Sequence, residues 1–322
     1  MHSTKKQNLK NEEFKKFQMA QIAFLYYDKG MTQQEIANKF NLSKMKVSRF
    51  LEQAKELEIV QISVNPFFQL NQKLQNQIQR KYDIEKAIIV KHPKSEAYDI
   101  STLLGQVWAF YMGISLPDNY VLGLGVGNTI GQVVKNLAPM QTKNLHIVQL
   151  MGGLADVNER NPFTIVQEIC RKLKAKGTHL TSFAAVENKE LRNSIIYKSS
   201  MGQQIRGMWE KCKQALFGIG AIEKGTLLSP KLISSEELQK LKQVGTVGDI
   251  LGHCFNQDGN FIHTNLEERL VSIPVNMLKN IQDRVVIAGG EYKVQAIRGL
   301  LRSGLITTLV TDETAAKKIM ES

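Results

Sequence analysis

The chain is poor in cysteine: Cys170, Cys212 and Cys254 are the only three in 322 residues, and no two form a CxxC pair. That scarcity argues against a disulfide framework, a zinc ribbon or a redox motif. It fits a reducing cytoplasm, with each cysteine a small buried hydrophobe. No apolar run approaches the roughly 18 residues that a membrane helix needs. The opening MHSTKKQNLKNEEF is charged and lacks the apolar core of a signal peptide. A soluble cytoplasmic protein with no membrane partner is expected. The six histidines form no HExxH or similar metal motif, and there is no GK[ST] of a nucleoside-triphosphate loop. Neither a metal nor a cofactor is expected, and there is no internal repeat or low-complexity tract.

What is present is ordinary globular composition, 43% hydrophobic and 22% charged, with enough length for two domains. The formal net charge is +12. Such an excess attracts polyanions, nucleic acid above all, although a generally basic solvated surface would carry the same charge.

The first sixty residues hold three helical patterns. In residues 12–28, Phe14, Phe17, Ile22, Leu25 and Tyr26 recur at helical spacing, and Gly30 supplies a C-cap. Thr32 and Glu35 have the spacing of a capping box for TQQEIANKF, which would bury Ile36, Ala37 and Phe40. After the turn at Asn41-Leu42, Ser43 caps SKMKVSRFLEQAKELE, with Val47, Phe50 and Leu51 inward. Two short helices around a tight turn, with small Ala37 at their approach, read as a helix-turn-helix. Its second helix presents Ser43, Lys44, Lys46, Ser48 and Arg49 to the major groove or its phosphates, and Gln33 can donate to the backbone. A small helical hairpin with a solvated basic face is the alternative. IVQISV (59–64) alternates as a short strand, and Asn65-Pro66 marks a boundary between domains 1–64 and 65–322. LNQKLQNQIQRKYDI follows as an amphipathic helix.

Beyond it, short apolar runs alternate with helical patterns: Ala87–Val90, Tyr120–Leu124, Leu145–Leu150, Ala215–Ile219, Val285–Ala288 and Thr308–Thr311. This alternation predicts an α/β, Rossmann-like domain with a mostly parallel sheet covered on both faces. Ligands in such sheets sit at the carboxyl ends of the strands. Glycine loops fall there: GVGNT, MGG, GIG and AGGEYK. LGLGVGNTIG (122–131) is not a dinucleotide fingerprint. Asn128 stands where the third glycine belongs, and no acidic residue follows about 20 positions on. What remains is a strand, a glycine turn and a helix start near Thr129, whose free N–H groups favour an anion. Glycines packing a tight turn would look the same. Lys293, at a helix start after Gly289-Gly290, could meet the same anion or be a surface lysine. Asp249 could accept from sugar hydroxyls or cap a turn.

These pieces together resemble the SorC family of bacterial, sugar-responsive transcriptional regulators. The resemblance runs from about residue 17. It is carried by FLYYDKGMTQQEIANKFNLSKMKVSRFLEQAKELEIVQISV, LGVGNTI, the glycines at 152–153, Asn161-Pro162, GIG at 218–220, VGDILGHCFNQDG, AGGEYKVQAIRGLLRSG and LVTDETAA. It implies a small all-α, winged-helix-like or homeodomain-like head that binds double-stranded operator DNA. It also implies an effector domain resembling sugar-phosphate isomerases, and assembly into a homo-oligomer, dimer or tetramer. By motif position, Gly125, Gly127, Asn128 and Thr129 would cradle the phosphate of a sugar or polyol effector, with Lys293 as its cation. Asp249 would face the sugar, and Gly152 and Gly153 would let the backbone approach it. The protein departs from the family at Ser43-Lys44-Met45-Lys46 and at SFAAVENKE (182–190), so operator sequence and effector identity do not carry over. A second reading is an isomerase or deaminase bearing a DNA-binding appendage. Its general base would be His253 with Asp249 as partner, unless His253 simply sits on a helix.

Overall fold

The computed structural model describes residues 2–57, 59–60, 70–91, 99–154, 161–223 and 233–321, with side chains from residue 14 onward. Internal contacts divide the protein into Met1–Val64 and Asn65–Ser322. The expected strand at 59–64 and the Asn65-Pro66 boundary lie largely outside the described residues. Ile59 and Val60 form a bend packed on the first unit's core.

The first unit is three helices, α1 (His2–Tyr27), α2 (Gln33–Phe40) and α3 (Lys44–Glu56). Gly30, at φ 66°, reverses the backbone after α1, so that the Met31 N–H reaches the Leu25 carbonyl at 3.0 Å. Thr32 and Glu35 close the capping box, Thr32 Oγ1 accepting from the Glu35 N–H and the Glu35 carboxylate from the Thr32 N–H. Asn41, at φ 52°, makes the turn, and Ser43 Oγ accepts from the Lys46 N–H. Met19, Ile22, Ala23, Ile36, Ala37, Val47, Phe50, Leu51 and Ala54 form the core. Two of the residues expected on the inner face of α1 are outside it. Phe14 is 69% exposed and Phe17 61%, while Met19 and Ala23 are buried beside Ile22. Residues 19, 22, 23 and 26 make one stripe at 3.6 residues per turn, and α2 and α3 cover only that stripe.

The second unit opens with α4 (Gln72–Tyr82), β1 (Lys86–Val90), α5 (Ile100–Ser115), β2 (Val121–Leu124), α6 (Asn128–Asn136), β3 (His146–Gln149), α7 (Pro162–Leu173) and β4 (Lys176–Thr178). Its remaining strands are β5 (Gln214–Phe217), β6 (Gly220–Ala221), β7 (Thr246–Ile250), β8 (His253–Asn256), β9 (Asp283–Ile287) and β10 (Thr308–Asp312). Seven strands form one parallel sheet in the order β1-β10-β9-β5-β2-β3-β4. Both faces are covered, one by a core that includes Ile78, Ile297 and Ile319, the other by one that includes Leu104, Ile130 and Ile169. Burial on both faces is why these strands read as continuous apolar runs.

A second sheet, β6-β7-β8, is antiparallel and goes beyond what the apolar runs imply. VGDILGHCFNQDG folds as a hairpin through Leu251 (φ 51°) and Gly252 (φ 87°), a two-residue turn with both central residues left-handed. His253 therefore lies on β8, not on a helix. β4 reads Lys-Gly-Thr and gives no apolar signal either.

Candidate functional site

In the first unit the basic residues of α3 stand clear of the core. Ser43, Lys44, Lys46 and Arg49 are exposed, while Gln33 and Ser48 are half-buried. Lys44, Lys46 and Arg49 enter no ion pair among the described residues. Met45, 75% exposed, sits among them. Its sequence context suggested no role, yet an exposed apolar side chain on this turn can meet a thymine methyl in the major groove.

In the second unit the strand order does what the sequence order cannot. β9, β5 and β2 are neighbours, so the glycine loops that follow them open side by side at the carboxyl edge. The Gly125 N–H donates to Leu216 O at 2.8 Å. A Cβ on Gly218 would lie 3.6 Å from Val126 O and 3.8 Å from Ile287 O, between the two flanking loops. The glycines differ in purpose. A Cβ on Gly125 would strike Phe217 and Leu251, so this glycine is needed for packing. At Gly127 there is open space, but φ is 127°, a conformation that other residues rarely adopt.

Gly127 is also the N-cap of α6 and, lacking a side chain, caps nothing. The backbone enters the helix Val294–Arg302 through Gly290 (φ 92°) and a short 3-10 turn that ends at Lys293, again without a side-chain cap. The other described helices of eight or more residues in this unit start with a capping Asn, Asp or Ser side chain: Asn71, Asp99, Asn161, Ser199, Ser234 and Asp312. The two bare helix starts are those that follow the glycine loops of β2 and β9. At α6 this leaves N–H groups and a positive dipole end without an internal partner, whereas at the second start the Gly290 N–H donates to Asp312 at 2.6 Å and the Lys293 and Val294 N–H groups donate to Gly290 O and Glu291 O. Thr129 is buried in the first turn of α6, and its hydroxyl makes no hydrogen bond among the described residues.

Lys293 and Asp249 are brought together, since Asp249 on β7 pairs with Gly220 on the strand that continues β5. Burial lowers the Lys293 pKa, and the nearby Asp249 carboxylate works against that fall. Burial raises the Asp249 pKa to about 6, against the opposing effects of the Gly252 N–H, His253 and Lys293. Asp249 Oδ2 accepts from the Gly252 N–H at 3.1 Å, so one oxygen caps the hairpin turn. Oδ1 lies against Gly220, where any Cβ would be 2.0 Å away, and has no hydrogen-bond partner among the described residues.

Not every expected residue has a free group. Gly152 donates its N–H to Val271 O at 2.8 Å, and a Cβ there would lie 2.3 Å from Phe183 O. The Gly153 N–H donates to Ser182 O at 2.7 Å. Gly152 thus serves close contact between backbone segments, while a Cβ on Gly153 would meet nothing nearer than Asn161 Oδ1 at 3.5 Å. The suggested base and partner are not hydrogen-bonded either. Asp249 pairs with Cys254 across the hairpin and His253 with Ile250, while His253 Nε2 lies 2.9 Å from Ile273 O and Nδ1 3.5 Å from Glu267. Asp312, in the LVTDETAA stretch, carries no local motif that marks it. Its buried carboxylate accepts from the Gly290 N–H at 2.6 Å and the Ala315 N–H at 2.9 Å, fixing the β9 loop and capping the last helix.

The sequence model of a family described as "Putative sugar-binding domain" matches residues 67–321. The structure is similar to the full-length sorbitol operon regulator SorC of Klebsiella pneumoniae, with a TM-score of 0.81 and 27% identity, over 94% of this chain and 98% of that one. A transcriptional regulator from Streptococcus pneumoniae TIGR4 gives 0.73 at 28% identity, over 77% of this chain and 96% of the other. In sequence, the deoxyribonucleoside regulator of Bacillus subtilis (strain 168) is 28% identical over 302 residues, 93% of this chain and 96% of that protein.

Proposed function

Because this chain belongs to the SorC family of sugar-binding transcriptional regulators, we propose that it couples operator binding to a phosphorylated sugar or polyol. Residues 1–64 hold the DNA. Lys44, Lys46 and Arg49 meet base edges or phosphates, with Gln33, Ser43 and Ser48 along the same contact. Residues 65–322 hold the effector and the contacts of a homodimer or homotetramer, which lets several heads engage repeated half-sites.

The observation that carries the phosphate is the uncapped start of α6, at the sheet edge where the loop bearing Lys293 also opens. A dianion placed there receives N–H groups from the Gly127-Asn128-Thr129 turn, the Thr129 hydroxyl and the Lys293 ammonium. Gly125 and the pair Gly152-Gly153 shape the surrounding backbone, and Asp249 supports the sugar side through Lys293 and the hairpin turn. Ligand binding moves operator affinity only to the extent that it favours one of two arrangements of the assembly. The test is thermal denaturation of the full-length protein, and its affinity for an operator selected from random duplexes, with sugar phosphates and their unphosphorylated parents. Stabilisation and a changed operator affinity with one phosphorylated compound, but not its parent, support the reading. No response to any phosphorylated compound overturns it.

Similarity to regulators, and an Asp249 and His253 that are not hydrogen-bonded, favour a sensor over an enzyme. Turnover of the stabilising compound by purified protein would reverse that preference.

A further inference from the structure

The amino edge of the same sheet holds a cavity of about 730 Å³. It lies a strand length, roughly 15 Å, from the glycine loops. Its floor is laid by the opening residues of four adjacent strands, β1, β10, β9 and β5, among them Lys86 and Asp283, and by Tyr120 just ahead of β2. One wall is the last two turns of α5, where Trp108 and Tyr111 stack with ring centroids 5.1 Å apart and planes at 22°.

The polar groups of this cavity are incompletely matched. Lys86 lies 4.0 Å from the centroid of the Tyr111 ring and meets its hydroxyl. The Tyr120 hydroxyl donates to Asp283 at 3.3 Å. Lys86 and Asp283 feel each other's charge, yet among the described residues they form no ion pair. The Trp108 indole N–H is buried and has no hydrogen-bond partner among the described residues. A cation and two carboxylates, Lys86 with Glu85 and Asp283, thus line one space beside an aromatic pair, within the size range of small-molecule sites.

This chemistry differs from that of the carboxyl edge. α5 brings its C-terminal turn to the cavity, through Ser115 and Leu116, and a helix C-terminus disfavours anions. Asp283 repels a phosphate directly. A hydroxyl, by contrast, both donates and accepts. A row of hydroxyls can therefore bridge Asp283 and Lys86 while the ligand's C–H groups lie against Leu116 and Pro117. We propose that this cavity is a second ligand site, which takes an uncharged, hydroxyl-rich ring or polyol. The site is separate from the phosphate site and stands without it.

The protein has two tryptophans, so Trp209→Phe leaves Trp108 as the only one, at the cavity wall. Titration of that full-length variant with glucose, ribose and glucitol is expected to give a saturable change in emission with at least one of them, and none with glucose 6-phosphate. Asp283→Asn keeps the shape and an acceptor for Tyr120 but removes the charge. It should weaken the response about tenfold or more, and leave intact any thermal stabilisation by sugar phosphates at the opposite edge. Should Trp209→Phe fail to fold, calorimetric titration of the wild-type and Asp283→Asn proteins gives the same comparison. No saturable binding by any of the three uncharged compounds overturns the proposal. Binding that Asp283→Asn leaves unchanged overturns it equally.

Discussion

The two units present their chemistry in opposite ways. In the head, the groups offered to a partner are side chains, projecting from a helix whose start is capped by Ser43. In the larger unit, the groups open to a partner at the start of α6 are backbone N–H, made available because Gly127 puts no side chain where a cap would sit. A side-chain surface can follow a long, repetitive polyanion. A backbone cradle fits one compact anion, and fixed N–H groups cost little to organise.

That contrast can be broken or sharpened at four points. The largest expected effect is that of salt. A head making six or more phosphate contacts should lose on the order of a thousandfold in operator affinity between 50 and 200 mM salt. The effector, held by N–H dipoles and one lysine, should lose far less, and equal salt slopes in parallel titrations would erase the distinction. Next is acidity. The folded pKa of Asp249, about 6, lies above the ordinary 3.8. The folded protein therefore keeps a proton that the unfolded state releases, and stability falls as pH rises from 4 to 6. Asp249→Asn keeps an acceptor for Gly252 and should flatten that fall, by roughly 3 kcal/mol, in chemical denaturation at several pH values. An unchanged profile would mean that the carboxyl is solvated.

Third, Thr129→Val and Lys293→Met should each abolish most of the stabilisation by effector, about 2.7 kcal/mol at a hundred times its dissociation constant, with operator binding spared. A full thermal shift in either variant removes that residue from the site. The smallest effect is at Arg49→Ala, which should cost about 1–3 kcal/mol of operator binding if Arg49 reads a guanine. Effector binding should not change, and a folded variant that loses both would join the two functions in one surface.

Much of the head is legible in the order of its amino acids alone, because its signals are local. The Thr32–Glu35 box, the Asn41 turn and the Ser43 cap each lie within four residues. What misleads there is weight: Phe14 and Phe17 are the larger apolar residues, yet position on the helix, not size, buries Met19 and Ala23. In the larger unit, burial on both faces makes the strands legible, and the glycine loops with them. That β9, β5 and β2 lie side by side is not legible, since pairing across distant stretches leaves no local trace. The β7–β8 hairpin is hidden because Leu251 occupies a turn position that usually carries Asn, Asp or Gly. Asp312 is hidden because a lone buried carboxylate gains its meaning only from Gly290, 22 residues away in sequence.

The pairing of β1 with β10 has a consequence for synthesis. β1 is an edge strand of the parallel sheet, and its neighbour there is β10, at the far end of the unit. During translation the three-helix head, with its own core, can be complete long before the strand that closes the sheet has emerged. A polypeptide cut short ahead of Thr308 would carry a complete three-helix unit and a sheet in which β1 lacks its β10 partner.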